Sequence, residues 1–156
     1  MTLEIGSGEN ANLAFDLHND IRGDQWHVEL SGDCLDLDLP KESISLIKAN
    51  QIYEHFERSD QIRLLRLCYR FLVKGGVIII YTPDLDWVLK LGSDNPWREK
   101  LILGGRTNEY DIHKRLVNKK DLMVDLFEVG FSIFEISTSD TGSIFCCGIK
   151  LNGRNF

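Results

Sequence analysis

The sequence lacks the features that mark membrane, secreted and nucleic-acid-binding proteins. Its 156 residues contain no apolar run near the roughly eighteen residues that a membrane span needs. Its first residues have neither the basic nor the apolar segment of a signal peptide. The net charge is −6 and Lys and Arg form no block, which disfavours nucleic acid as a partner. We therefore expect a cytoplasmic protein whose partner is a small molecule or another protein.

Cysteine is scarce, and its spacing argues against the usual cysteine-based sites. The chain has neither a Cys-x-x-Cys pair nor the spacing to His that zinc ligands show. We therefore expect no metal site, no disulfide framework and a reducing compartment, with the thiols acting as small buried apolar groups. The four cysteines are Cys34, Cys68, Cys146 and Cys147.

Apolar runs and helical repeats alternate along the chain, which is typical of an α/β protein. With 43% hydrophobic residues, a chain of this length can bury one core, so we expect a single domain over residues 1–156. Helical spacing predicts a helix over 61–72, ended by Gly75-Gly76, and another over 119–129, ended by Gly130. The predicted strands are 3–5, 12–17, 26–30, 44–49, 77–81, 131–137 and 143–151.

Two regions of this pattern bear on function. The β-branched run 77–81 predicts a central strand covered on both faces. After it, the pattern loosens over residues 82–118, which we expect to form a substrate-binding or lid region. The last two strands, joined by a polar turn, predict an antiparallel hairpin at the end of the sheet.

Six short motifs follow one another along nearly the whole chain. They are Leu-Glu-Ile-Gly-Ser-Gly at 3–8, Gly-Asp-Cys-Leu-Asp-Leu-Asp-Leu-Pro at 32–40, the segment 47–56 containing Glu-His, the segment 67–76 ending in Gly-Gly, Tyr-Thr-Pro-Asp at 81–84 and Gly-Phe at 130–131. In this order they resemble the motifs of class I S-adenosylmethionine-dependent methyltransferases, and the chain is similar to the small predicted members of the type 11 and type 23-like group. The resemblance implies a Rossmann-like three-layer sandwich with a mostly parallel, seven-stranded-type sheet that ends in the antiparallel hairpin, and S-adenosylmethionine as cofactor.

The expected cofactor site lies at the carboxyl ends of the first strands. Glycines in the first loop allow a ligand to approach the backbone. A carboxylate that ends the second strand can accept both ribose hydroxyls, a role that we assign to Asp16, although a turn-forming Asp16 is an alternative. By the resemblance, Asp33 and the backbone of Cys34 meet the adenine, with an Asx turn after Gly32 as the alternative. The full predicted set is Glu4, Gly6, Ser7, Gly8, Asp16, Leu17, Asp33, Cys34 and Asn50.

Other cofactors fit the first loop less well. A dinucleotide site needs Gly-x-Gly-x-x-Gly, whose third glycine is absent, and no Gly-Lys-Ser/Thr of a phosphate-binding loop follows. One departure from the resembled fold is that only residues 9–12 separate Gly8 from the next apolar run. We therefore expect the first crossover helix to be shortened or absent.

The acceptor side is expected after the fourth strand and in the loose region. The candidate catalytic residues are Tyr53, Glu54, His55 and His113, with Asn50 and Asp84 nearby. His55 is a candidate base because imidazole titrates near neutral pH; the alternative is that Glu54 and His55 open or cap the next helix. His113, with Gly104-Gly105, resembles the insert of the same group and belongs either to a substrate lid or to a solvated loop.

Two functions follow from these expectations. In the first, the protein transfers a methyl group to an oxygen or nitrogen atom of a small-molecule or glycan-type acceptor. In the second, it is a non-catalytic S-adenosylmethionine-binding or regulatory module that kept the fold. Whether the first loop and Asp16 form a closed cofactor pocket would distinguish them.

Overall fold

The computed structural model describes residues 1–8, 11–12, 14–23, 27–108 and 110–151. Seven strands form one sheet in the order β3-β2-β1-β4-β5-β7-β6. Every neighbouring pair is parallel except the two pairs that involve β7, which are antiparallel. The strands are β1 Thr2–Ile5, β2 Leu17–Asp20, β3 Leu30–Ser31, β4 Ile44–Asn50, β5 Leu72–Pro83, β6 Phe131–Thr138 and β7 Ser143–Lys150. The expected Rossmann-like sheet with an antiparallel hairpin at its end is confirmed.

The described residues form four α-helices, all of which follow β4 in the chain, and two of them build the core. The helices are α1 Arg58–Phe71, α2 Leu85–Lys90, α3 Arg98–Leu103 and α4 Lys119–Val129. Apolar residues of α1 and α4 join residues such as Leu3, Ile47 and Ile80 of the sheet in one buried cluster. None of the helices within the described part of the chain is long and apolar enough to cross a membrane.

The second face of the sheet is less covered than the run 77–81 suggested. Along β5, Ile78 and Ile80 are buried, whereas Val77, Ile79 and Tyr81 stay half-buried. The strand is central, with β4 and β7 as neighbours, but the prediction of cover on both faces was wrong. The reason is that the described residues between β1 and β2, and between β2 and β3, form no helix to lie over that face.

Most predicted elements are present with shifted bounds. Helix α4 has the predicted range, since Asn118 caps its first turn and Gly130 ends it at φ 109°. Helix α1 starts earlier, at Arg58, and ends at Phe71, so that Gly75-Gly76 lies inside β5 and does not end the helix. The second strand is Leu17–Asp20, not 12–17, and the third is Leu30–Ser31; of the predicted residues 26–30, residue 26 lies outside the described chain.

Candidate functional site

A cavity of about 430 Å³ opens where the strand order reverses, between β1 and β4. In open α/β sheets this crevice at the carboxyl ends of the strands is where ligands bind. The volume is within the range of small-molecule sites. We call this cavity the cleft. Its lining includes Gly6, Ser7, Gly8, Asp20, Arg22, Asn50, Gln51, His55, Thr107, Asn108, Tyr110 and Asp111.

The loop after β1 forms one wall of the cleft. Gly6 and Gly8 have φ values of +70° and +60°, which favour glycine. The N–H groups of Gly6 and Ser7 both donate to the Asn19 carbonyl oxygen, at 3.0 and 3.2 Å, which ties the loop to β2. Ser7 is 3% exposed, and its Oγ has no hydrogen-bond partner within the described structure. A buried hydroxyl without a partner is unfavourable, so a ligand that bonds to Ser7 would stabilise this loop.

Asp20, and not Asp16, is the carboxylate that ends the second strand. It is 7% exposed and lines the cleft. Its Oδ2 accepts from the Gly8 N–H at 2.8 Å, and its Oδ1 accepts from the Arg22 N–H and Nε at 2.9 and 3.1 Å. Burial alone would raise the pKa of Asp20, but these hydrogen bonds and the charge of Arg22 outweigh it and lower the pKa. The carboxylate is therefore ionised and held in place.

Asp16 lies at the opposite end of β2, away from the carboxyl ends of the strands. It is exposed, precedes β2, and accepts from the N–H and the hydroxyl of Thr2, at 2.8 and 3.1 Å. These bonds lower the pKa of Asp16. Leu17, the first residue of β2, is at the same end of the strand. Neither Asp16 nor Leu17 therefore lines the cleft, because the strand begins where it was expected to end.

Glu4 lies beneath the loop and outside the lining of the cleft. Its carboxylate is fully buried in β1 and accepts from Lys48 Nζ at 2.6 Å and from the Asn12 N–H at 2.7 Å. A buried ion pair with a second donor holds the described part of the loop against the sheet. In this structure Glu4 therefore positions the loop and does not line the cleft.

Asp33 and Cys34 line a second cavity of about 180 Å³ that shares Ile21, Ile52 and His55 with the cleft. Asp33 Oδ1 accepts from the Leu35 N–H at 2.9 Å and caps the 3₁₀ turn Cys34–Asp36. The Asx-type turn that the sequence allowed is thus present, and it faces the cavity. Asn50, at the carboxyl end of β4, lines the cleft itself.

The four candidate catalytic residues separate into two groups. Tyr53 is fully buried, lines neither cavity and donates through its hydroxyl to Asp125 Oδ2 of α4 at 3.1 Å. Burial and the negative Asp125 raise the pKa of Tyr53, so its hydroxyl stays protonated. Asp84 is also buried and caps α2. Tyr53 and Asp84 hold elements together, whereas Glu54, His55 and His113 meet beside the cleft.

Glu54 and His113 pack together behind His55. Glu54 is 1% exposed; its Oε2 accepts from the Thr82 hydroxyl at 3.0 Å, and its Oε1 lies 4.0 Å from His113 Nε2. The rings of His55 and His113 are 5.0 Å apart, edge to face. Burial raises the pKa of Glu54 to about 7, and burial lowers the pKa of both histidines, with the neighbouring His113 also acting on His55.

His55 is the member of this group that reaches both cavities. Its Nδ1 lies 3.1 Å from the Ile112 carbonyl oxygen, which can only accept, so the neutral ring carries its proton there and leaves Nε2 with a lone pair. The alternative that Glu54 and His55 open or cap the next helix was wrong. They form a separate 3₁₀ turn, and α1 begins at Arg58 after Glu57.

Comparison with known proteins agrees with the fold. The family model for a methyltransferase domain matches residues 12–80. An S-adenosylmethionine-dependent methyltransferase from Thermotoga maritima, named as a possible histamine N-methyltransferase, superposes with a TM-score of 0.71 at 17% identity, over 96% of this chain and 81% of that one. The chain thus shares the fold of S-adenosylmethionine-dependent methyltransferases, and the family model matches a little less than half of it. No curated protein matches its sequence.

Two further solved structures resemble this chain. One from Archaeoglobus fulgidus, an S-adenosylmethionine-dependent methyltransferase, gives a TM-score of 0.70 at 17% identity, over 96% of this chain and 85% of that one. The structure of PigF with S-adenosylhomocysteine gives 0.63 at 20% identity, over 96% of this chain and 50% of that one. At these identities the structures show the fold alone, and the family match adds the same fold over residues 12–80.

The cleft suits the cofactor of a class I methyltransferase, S-adenosylmethionine. The glycine loop lets a ligand approach the backbone, and a Cβ at Gly6 would lie only 3.0 Å from Ile52 Cβ. Ser7 offers an unused hydroxyl, and Asp20 offers a fixed carboxylate of the kind that binds ribose hydroxyls. The residue that sequence reasoning missed is Asp20. The segment Leu-His-Asn-Asp at 17–20 ends in a carboxylate, but its polar composition concealed the strand.

Proposed function

We propose that this protein transfers a methyl group from S-adenosylmethionine to an oxygen or nitrogen atom of a small-molecule or glycan-type acceptor. The observation that carries the proposal is the shared cleft, in which the Gly6–Gly8 loop and Asp20 face the same space as His55. A binding surface for the cofactor and a group able to act on an acceptor are thus adjacent.

Each part of the cofactor has candidate residues in this cleft. The backbone of Gly6 and Gly8 and the Ser7 hydroxyl are suited to the methionine part, and the Asp20 carboxylate is suited to the ribose. Asp33 and the Cys34 backbone line the second cavity, where we place the adenine. Asn50, at the carboxyl end of β4, lines the same cleft and is suited to the methyl-bearing end.

The acceptor is expected at the mouth of the cleft, next to His55. The lining of the cleft also includes several side chains that can form hydrogen bonds: Gln51, Thr107, Asn108, Tyr110 and Asp111. Such a lining suits an acceptor with several hydroxyl or amine groups, because each buried polar group of the ligand needs a partner. The name of the Thermotoga protein also points to a small amine as acceptor for that relative.

Methyl transfer is a single displacement, and the residues of the chain assist it in two ways. The acceptor lone pair forms the new bond to carbon as the carbon–sulfur bond breaks, and the electron pair of that bond remains on sulfur. Holding the acceptor in line with that bond supplies most of the rate. The acceptor must also lose a proton, and His55, through Nε2, is our candidate for activating it, in the simplest case as a general base.

Calorimetric titration with S-adenosylhomocysteine tests the cofactor site with a matched pair of variants. Asp20→Ala should weaken binding by about 1.5–3 kcal/mol, because charge-assisted hydrogen bonds to the ribose are lost. Asp16→Ala removes a carboxylate from the opposite end of β2 and should leave the affinity for S-adenosylhomocysteine unchanged. If the wild-type protein is folded but does not bind, the non-catalytic alternative gains support; if Asp16→Ala is the weaker binder, our assignment is wrong.

The acceptor class needs a separate measurement. We would follow formation of S-adenosylhomocysteine with a panel of sugars, polyols, phenols and amines, alongside protein and nucleic-acid substrates. Turnover with members of the small-molecule set, lost in His55→Ala but with S-adenosylhomocysteine binding retained, would support the proposal. Turnover confined to protein or nucleic acid would contradict it.

A further inference from the structure

Three side chains from two distant segments point ligand atoms toward one another beside the cleft. Glu54 and His55 lie in the turn after β4, and His113 lies in the segment before α4. One carboxylate oxygen and one nitrogen from each ring lie within 4.8 Å of one another. The ligands of a tetrahedral site with metal bonds of about 2.1 Å are roughly 3.4 Å apart. Small side-chain shifts therefore bring these three atoms to ligating distance.

Both histidines are oriented in the way that metal-binding histidines are. His55 Nδ1 lies 3.1 Å from the Ile112 carbonyl oxygen, and His113 Nδ1 lies 2.9 Å from the Leu101 carbonyl oxygen. Since a carbonyl only accepts, each neutral ring keeps its proton on Nδ1 and presents the Nε2 lone pair. A backbone acceptor behind the ring is the usual outer partner of a ligating histidine.

The carboxylate has an outer partner of its own. Thr82, at the carboxyl end of β5, donates to Glu54 Oε2 and leaves Oε1 directed at His113. The backbone is fixed as well, because the N–H groups of Lys114 and Arg115 donate to the Glu54 carbonyl oxygen, at 2.8 and 3.2 Å. These bonds hold the segment that carries His113 against the turn that carries Glu54. The backbone hydrogen bonds therefore fix the relative position of the three side chains.

The described residues supply no Lys or Arg to balance the carboxylate of this group. Glu54 is 1% exposed, and among the described residues neither Lys nor Arg forms a salt bridge with it. The other fully buried carboxylates, Glu4 and Asp125, pair with Lys48 and Arg115. An ionised carboxylate that is buried without a positive counter-charge is costly, and a bound cation would reduce that cost.

We propose that Glu54, His55 and His113 bind a divalent transition-metal ion of the zinc type. Two imidazole nitrogens and one carboxylate oxygen suit Zn²⁺ and its neighbours, whereas Mg²⁺ and Ca²⁺ prefer oxygen ligands alone. Three protein ligands leave a coordination position for another molecule, as in catalytic zinc sites. His55 borders both cavities, so that the site adjoins the space where we place the acceptor.

Metal binding would change how the acceptor is activated. A hydroxyl that coordinates a divalent cation releases its proton more readily, and that proton leaves to solvent. His55 would then act as a ligand and not as the base. This consequence rests on the proposed function for the position of the acceptor, whereas metal binding itself does not depend on it.

The test uses the full chain, stripped with a chelator and titrated with Zn²⁺ by calorimetry and with Co²⁺ by visible absorption. We expect one ion per chain and the intense absorption of tetrahedral Co²⁺. His113→Ala should weaken Zn²⁺ binding at least 100-fold. Thr82→Val removes only the outer hydrogen bond and should weaken it about 10- to 100-fold. His18→Gln alters the second histidine pair, His18 and His27, and should leave metal binding unchanged.

Circular dichroism and thermal unfolding would show that each variant is folded. Absence of Zn²⁺ binding by the wild-type protein, or equal binding by His113→Ala, would overturn the proposal. S-adenosylhomocysteine is titrated in parallel into metal-free protein, where we expect undiminished affinity. Zn²⁺ binding without S-adenosylhomocysteine binding would support the metal site and contradict the proposed methyl transfer. S-adenosylhomocysteine binding without Zn²⁺ binding would contradict the metal site and leave the proposed methyl transfer in place.

Discussion

At the scale of single residues, Gly6 shows how the fold shapes the cofactor loop. Its φ is +70°, and a Cβ there would lie 3.0 Å from Ile52 Cβ and 3.2 Å from the Asn50 carbonyl oxygen. Gly75 has a similar φ of +77°, but a Cβ there would meet nothing within 4 Å. The two positions share the backbone requirement for glycine and differ in the space around the missing side chain.

We expect Gly6→Ala and Gly75→Ala each to lower the free energy of unfolding by about 1–2 kcal/mol for the left-handed backbone. Gly6→Ala should lose a further amount from crowding and should also bind S-adenosylhomocysteine more weakly, because the loop must shift. Urea unfolding and calorimetric titration of both variants measure these effects. A Gly75→Ala protein that loses as much cofactor affinity as Gly6→Ala would show that the effect is not local to the cleft.

Asp20 shows why part of the site could not be predicted from the sequence. Its strand is polar, but each polar group has a partner: His18 Nδ1 lies 3.1 Å from Glu29 Oε2, and Asn19 Nδ2 donates to the Leu30 and Gly32 carbonyl oxygens. Hydrophobic patterning cannot reveal a strand whose buried residues are polar and mutually bonded. The glycine loop and the Asp33 turn could be predicted because their chemistry is local.

At the scale of secondary-structure elements, Asp125 joins α4 to the turn that carries the site. This fully buried carboxylate accepts from the Tyr53 hydroxyl at 3.1 Å and from Arg115 at 2.6 Å, and Arg58 of α1 donates to it at 3.2 Å. Tyr53 immediately precedes Glu54 and His55, and Arg115 follows His113 by two residues. The same carboxylate therefore fixes both segments of the Glu54, His55 and His113 group.

Asp125→Ala should lower the free energy of unfolding by about 2–4 kcal/mol, because the Tyr53 hydroxyl and Arg115 lose their acceptor in a buried place. Glu128→Ala is the matched control on the same helix. Glu128 pairs with exposed Arg58 at 2.9 Å, and its loss should change stability by about 0.5 kcal/mol or less. Urea denaturation compares the two variants, and similar losses from both would contradict the role given to Asp125.

Helix α4 and the hairpin β6-β7 could be predicted because their own residues specify them, through the Asn118 cap, Gly130 and the alternating strands. The region 82–118 could not be predicted in detail. Helix α3 buries no residue, and its neighbourhood is held by contacts distant in sequence, such as His113 with the Leu101 carbonyl oxygen. The pairing of His55 with His113 depends on these contacts, so that the absence of a metal-ligand spacing in the sequence was no guide to the group formed in three dimensions.

At the scale of the whole molecule, the strand order brings Gly6, Asp20 and Asn50 together at the carboxyl ends of neighbouring strands. The loops after β1, β2 and β4 meet there because the order reverses between β1 and β4. A ligand bound at the carboxyl ends of these strands therefore connects segments that are far apart in the sequence. A ligand held by all of them is bound by the folded chain and not by its parts, and its binding free energy adds to the stability of the whole fold.

The cysteines report that global stability. Cys68 and Cys146 are buried in the core, and burial raises the pKa of each thiol to about 12. Such thiols react with an aromatic disulfide reagent only when the chain unfolds around them. The half-buried thiol of Cys147 needs only a small local opening to react. We expect the thiol of Cys147 to react early and the other thiols to react slowly. The early reaction should be absent from the Cys147→Ser variant. S-adenosylhomocysteine at about 100 times its dissociation constant lowers the globally unfolded population about 100-fold. It should therefore slow the core thiols by about that factor and leave Cys147 unchanged. If the ligand binds but does not slow Cys68 and Cys146, these thiols react through local openings, and the cleft and the core do not unfold as one unit.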